Sequence, residues 1–226
     1  MLNIVRSSLA AAFLSVAALG TATAQTAPEN QSPITYQPTH LMTEAPDDHA
    51  IGNPDAPDTL IVYASNMCPH CGDWFTKEWP TVKRDLVETG RLRFVFRPLP
   101  SAPIRYSVAA FTLAECAPAD TYMAVIEDQF ARQATILESQ SPDVARTEFE
   151  NMAKMAGLED MESLEACLAD DNAFAAVERA TRRAQAANIN GIPTFILNGE
   201  VMGGAHDAED VARWLAGAGT SDDAPG

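Results

Sequence analysis

Two of the four cysteines in the chain lie in "SNMCPHCGDW" (65–74): Cys68 and Cys71, with Pro69 and His70 between them. Thiols at this spacing support three chemistries. They can supply two corners of a tetrahedral zinc site, close a small structural loop, or cycle between dithiol and disulfide. Zinc requires two further ligands, usually a second close pair. Here Cys116 and Cys167 are far apart in the sequence, and His40, His49 and His206 are scattered. No metal is expected, and no other cofactor.

The flanking residues decide how the thiols behave. "TLIVYAS" (59–65) is a short, β-branched, apolar run that reads as a buried strand ending at the cysteines. Beyond them Phe75, Trp79, Val82 and Leu86 recur at helical spacing, with Pro80 expected to kink that helix. A strand thus delivers both cysteines onto a helix start, where unpaired N–H groups and the helix dipole favour negative charge. A thiol in that first turn loses its proton more easily. Cys68 is that thiol, and Cys71, one turn later, is close enough to bond it and is expected to be more buried. Pro69 fits the first helical position, where a missing N–H costs nothing. His70, as an imidazolium or a neutral N–H donor, can favour a Cys68 thiolate over a disulfide sulfur. The alternative for His70 is a solvated residue at the helix start.

Gly90 ends the helix and "RLRFVF" (91–96) is the next strand. From about 104 to 187 apolar residues keep helical spacing, reading as four or five helices, one of them starting at Pro142. Strands return in "PTFILNGEVMGG" (193–204), where Asn198-Gly199 marks a two-residue hairpin. Asp207 is placed to cap a last helix carrying Val211, Trp214 and Leu215. The fold class is therefore α/β, a βαβ unit and a ββα unit forming one mixed sheet around an inserted helical block. The expected organisation is a signal peptide (1–24), an extended arm (25–58), fold halves at 59–100 and 188–217, a helical insertion (101–187) and a flexible tail (218–226).

The first residues have the pattern of an export signal. Arg6 precedes an apolar run and an Ala22-Thr23-Ala24 cleavage site, and the run is too short to span a bilayer comfortably. Cleavage would leave 14 basic residues against 31 acidic ones, a net charge of −17. Nucleic acid is an unsuitable partner for such a chain, because phosphates repel it. An oxidising compartment also makes disulfides chemically reasonable.

The strand–Cys-x-x-Cys–helix unit, followed far downstream by Gly191-Ile192-Pro193-Thr194-Phe195 entering a hairpin, resembles the thioredoxin superfamily. With its helical block, its export signal and "CPHC", the chain is similar to the DsbA-type periplasmic thiol oxidases. "YASNMCPHC", "ETGRLRFVFRPLP" and "GIPTFILNG" carry the likeness, which runs from about residue 51 to 215. It implies that Pro193 follows a cis peptide bond and that Ile192 stands opposite Cys68, exposing backbone for an extended substrate. It also implies a Cys68–Cys71 disulfide donated to folding exported polypeptides in the periplasm, with a membrane partner to reoxidise the pair. A monomer is expected, since the 25–58 arm is short for the added dimerisation domain of disulfide isomerases. Two alternatives remain: the same site as a reductase or isomerase, and a non-catalytic binding or chaperone module.

Some relatives carry a second cysteine pair at similar places, which implies a structural Cys116–Cys167 disulfide, the alternative being two buried free thiols. Two departures from the family pattern concern direction. Many relatives have a buried acid six residues before the first cysteine, where this chain has Val62. Ile192 looks more like the residue that precedes the cis-proline in reducing thioredoxins. Met67, Trp74, Phe75, Ile192 and Met202 are expected to form an apolar substrate groove.

Overall fold

Strand β2 (Asp58–Ala64) runs through the centre of a sheet of order β1-β3-β2-β4-β5. The computed structural model describes residues 40–139, 141–203 and 207–217. The expected signal peptide, the arm before residue 40, His206 and the tail after residue 217 lie outside the described residues. Strand β3 (Leu92–Pro98) pairs parallel to β2, and β4 (Thr194–Leu197) pairs antiparallel to it on the other side. The edge strand β5 (Glu200–Val201) follows a two-residue turn in which both Asn198 (φ 51°) and Gly199 (φ 91°) have positive φ. That is the hairpin geometry that the Asn-Gly pair favours.

The β2 side chains from Leu60 to Ala64 are all buried, because both faces of the sheet are covered. Leu60, Val62, Phe94, Phe96, Phe195 and Leu197 face the larger core. Ile61, Tyr63, Val95 and Ile196 face the smaller one, against Ala184.

Helix α1 (Pro69–Lys77) leaves β2 through the cysteine turn. Pro80 does not kink a continuous helix: α1 stops at Lys77, and Pro80 lies in the first turn of α2 (Trp79–Val82), where its missing N–H is no loss. A π-helical turn, 83–87, completes the return to β3. Between β3 and β4 run five helices: α3 (Ile104–Glu115), α4 (Tyr122–Ser139), α5 (Pro142–Met155), α6 (Met161–Leu168) and α7 (Asp171–Ala186). Pro142 opens α5 as expected. The last helix, α8 (Ala208–Leu215), is capped by the Asp207 carboxylate, which accepts from the Asp210 N–H at 2.8 Å.

The packing of α4 against α1 joins the helical block to the site. Phe130 stacks on Phe75 with ring centroids 4.0 Å apart and planes within 3°. Trp74 and Trp79 fill the space between this stack and Phe94. Each such ring, taken from water, contributes about 1.5–3 kcal/mol.

The 25–58 segment, expected to be an extended arm, contributes a strand. Strand β1 (His49–Ile51) pairs antiparallel with β3 along His49↔Phe96, Ala50↔Val95 and Ile51↔Phe94. Three residues are too few for an alternating pattern to show in the sequence. What holds the segment is Arg97 on β3, whose side chain is 1% exposed. It binds the Asp48 carboxylate at 2.7 Å and the Tyr63 hydroxyl at 2.9 Å, and donates to the carbonyls of His40, Leu41 and Thr43. Asp48, equally buried, also receives Arg183 from α7.

Removing one partner of such a pair strands a buried charge. Arg97→Met is therefore expected to lower unfolding free energy by about 3–5 kcal/mol in urea titrations. A loss below about 1 kcal/mol would show that the cluster does not anchor the segment.

Candidate active site

At the end of β2 the chain turns through Ser65, Asn66 and Met67, all fully or nearly fully buried, and reaches Cys68 as the N-cap of α1. Cys68 is extended (φ −93°, ψ 118°), and no side chain caps the helix. The first-turn N–H groups next to this residue therefore have no side-chain acceptor. The turn is closed from both sides: the Cys68 N–H donates to Ser65 O at 3.1 Å, and Cys68 O accepts from the Gly72 N–H at 3.0 Å. Pro69 occupies the first helical turn, as its fixed φ favours. Cys68 and Cys71 are both free in this structure.

One helical turn separates two different environments. Cys68 is half-buried, whereas Cys71 is completely buried in the larger core. Burial pushes the Cys71 thiol well above the usual thiol range, and the neighbouring Cys68 adds to the rise. The Ser65 N–H opposes it by donating to Cys71 Sγ at 3.5 Å. Val62 lies in the same apolar cluster, in register with Phe96 on β3 and Phe195 on β4. The position that carries a buried acid in many relatives is thus lined by hydrocarbon.

The Ile192–Pro193 peptide bond is cis, and the Ile192 carbonyl oxygen lies 3.9 Å from Cys68 Sγ. A residue 124 positions downstream of Cys68 thereby meets the cysteine turn, because β4, starting at Thr194, pairs with β2 at Tyr63. Ile192 is half-buried and Gly191 exposed, leaving this stretch of backbone at the surface beside the sulfur.

His70 and Pro69 are exposed. His70 borders an open groove with Asp73, Trp74, Lys77, Glu78, Pro193 and Asp207. Among the described residues the expected apolar set does not line a groove together, although Trp74 edges this one. Met67 (2% exposed), Trp74 (5%), Phe75 (4%) and Met202 (7%) are core residues, and only Ile192 of that set reaches the surface. The helical spacing of the aromatics reported burial against the sheet.

The helical block contributes a polar layer beneath the turn that the sequence does not announce. Ser65 Oγ bonds Ser101 Oγ at 2.8 Å and Ser107 Oγ at 3.0 Å, and Ser107 donates to Asn66 Oδ1 at 2.8 Å. Gln129 and Gln133 of α4 reach the same segment. The signal that could have found them is a polar pair four residues apart on the α4 face that also carries Ile126 and Phe130.

Cys116, at the end of α3, and Cys167, in α6, are disulfide-bonded across 51 residues with Cα atoms 6.0 Å apart. On the chain-entropy account such a loop contributes about 4 kcal/mol. The bond is away from the Cys68–Cys71 pair and ties α6 to α3. Among the described residues no group of three or more His, Cys, Asp or Glu side chains is arranged to hold a metal. No described helix is long and apolar enough to cross a membrane.

A thioredoxin family model matches residues 44–216. Among solved structures the chain is similar to alpha-DsbA1 of Wolbachia pipientis, with a TM-score of 0.69 and 20% identity, covering 80% of this chain and 94% of that one. It is also similar to a protein-disulfide isomerase from Novosphingobium aromaticivorans, with a TM-score of 0.65 and 19% identity, covering 76% and 96%. A curated relative, Na(+)/H(+) antiporter NhaA 3 of Salinispora tropica, is 26% identical over 163 residues, which are 72% of this chain and 23% of the antiporter. The chain thus spans about a quarter of the length of the curated relatives it matches. The chain belongs to the thioredoxin family, in the DsbA-like form of the fold that carries a helical block between its two halves.

Proposed function

We propose that this chain is an exported thiol:disulfide oxidoreductase that passes a Cys68–Cys71 disulfide to polypeptides folding in the periplasm. The observation that carries the reading is the asymmetry of the pair. Cys68 is reachable at a helix start against the Ile192 carbonyl, and Cys71 is sealed in the core behind it.

The steps balance as follows. A substrate thiolate attacks Cys68 Sγ, the Cys68–Cys71 bond breaks, and Cys71 leaves and takes up a proton. A second substrate thiolate then attacks the substrate sulfur of the mixed disulfide and releases Cys68. Two electrons move from substrate to protein, the substrate gains a disulfide, and a membrane oxidant must later accept those electrons. Extended substrate backbone beside Ile192 would orient the reacting sulfur.

Burial of Cys71 supports this direction. A neutral thiol does not attack, so Cys71 is slow to expel the substrate in its reduced state, and the second substrate thiol has time to complete the oxidation. Ile192 before the proline is the feature that favours a reductase or isomerase instead, and a base near Cys71, which Val62 does not supply, would suit that reading better.

In an oxidative refolding assay on a reduced two-cysteine substrate, Cys68→Ser is expected to abolish turnover. Cys71→Ser, which cannot form the internal disulfide, should lose turnover as well, yet its Cys68 thiolate should attack oxidised glutathione, release one reduced glutathione and hold a mixed disulfide visible by mass. Full activity of Cys68→Ser would leave only a binding or chaperone role for the fold.

The environment of Cys71 also predicts a pH dependence. Its folded thiol is raised by burial, so above about pH 8.5 the unfolded chain releases this proton first and gains stability relative to the native state. The Cys71 contribution is fully present below that pH and is lost above it. Comparing Cys68→Ser with Cys68→Ser/Cys71→Ala isolates it. The difference in unfolding free energy should fall by about 1.4 kcal/mol per pH unit above that point. A difference unchanged from pH 7 to pH 10 would contradict a buried neutral Cys71.

A further inference from the structure

Helix α4 directs Gln133 into the cysteine turn, and the steps above make no use of it. Its side chain is nearly fully buried, at 5% exposure. Gln133 Nε2 donates to the Asn66 carbonyl at 3.0 Å and to the Cys68 carbonyl at 2.9 Å. One amide from the helical block thus holds the turn at two points, one of them the peptide group of the reactive cysteine. One turn earlier, Gln129 secures the same segment, accepting from Asn66 Nδ2 at 2.9 Å and donating to Ala110 O at 2.6 Å.

The residue after Cys71 points to the same contact. Gly72 is a buried glycine inside α1, a place where alanine is intrinsically preferred. A β-carbon added there would overlap Gln133 Oε1. The glycine makes room for the amide, so the two positions are matched.

We propose that Gln133 is a positioning residue for Cys68 that raises the oxidising power of the pair. By fixing the Cys68 carbonyl it holds Cys68 at the N-cap of α1 with its sulfur beside the Ile192 carbonyl. The positive end of its amide also stands on the Cys68 side of the turn, where it favours a charged reduced sulfur over a neutral disulfide. This inference rests on reading Cys68–Cys71 as a redox pair.

The test equilibrates the purified full chain with glutathione redox buffers and compares four variants with the unaltered protein. Gln133→Met keeps length and shape without the amide, and is expected to shift the equilibrium constant about tenfold toward the protein disulfide, or ~30 mV. Gly72→Ala, which displaces the amide while keeping it in the chain, should shift it the same way. In a Gln133→Ala background, Gly72→Ala should add nothing further. In the unaltered protein the Gln133 side-chain amide resonances should differ between oxidised and reduced forms.

Folded variants that keep the unaltered protein's equilibrium constant would make Gln133 a structural anchor only and overturn the proposal. If the variants do not fold, identical Gln133 amide resonances in the two redox states would overturn it, and distinct ones would support it. Failure of the unaltered protein to exchange with glutathione at all would instead remove the redox reading on which the proposal stands.

Discussion

The site depends on a single helical turn that begins at the surface and ends in the core. Cys68, as N-cap, is half-exposed beside unpaired N–H groups, and Cys71, three residues on, is fully buried among hydrocarbon. Burial penalises a charged sulfur at the second position. In the proposed function this asymmetry divides the roles: the outer sulfur would meet the substrate and the inner one would stay neutral behind it. It requires β2 to end where it does, and it requires a core deep enough to enclose Cys71.

Both requirements are met by elements distant in sequence. The parallel β2–β3 pair and the antiparallel β2–β4 pair bury β2 on both sides. The second pairing also brings Ile192 to 3.9 Å from Cys68 Sγ. The helical block is part of the site: the Phe75–Phe130 stack seats α4 on α1, and Gln129 and Gln133 extend that contact into the turn itself. At the far edge, Arg97 and Asp48 hold the incoming segment to the sheet so that β1 can cover β3.

Much of this was legible in the sequence wherever a local physical rule governs. The β-branched run of β2, Pro142 opening α5, Asn198-Gly199 in the hairpin and Asp207 capping α8 each follow from backbone preferences that act within a few residues. What escaped was set by tertiary structure. The three residues of β1 form a strand only because β3 and Arg97 are there. Pro80 marks a break in place of a kink because the chain divides before it, at Glu78. Phe75 belongs to the core and Trp74 almost wholly so, with one edge on the groove beside His70, since a helical apolar stripe does not say which partner it meets. The polar layer of Ser65, Asn66, Ser107, Gln129 and Gln133 has no local signature beyond the Gln129–Gln133 spacing, because its members come from three separated segments.

The measurement that bears most directly on disulfide donation is the redox equilibrium of the first cysteine pair. The purified protein would be equilibrated across glutathione buffers, and its free thiols alkylated and counted by mass. A donor of disulfides should hold Cys68 and Cys71 reduced even where oxidised glutathione is plentiful, with a potential nearer about −120 mV than about −270 mV. A pair that stays oxidised against a large excess of reduced glutathione, near the ~−270 mV of reducing thioredoxins, would contradict it.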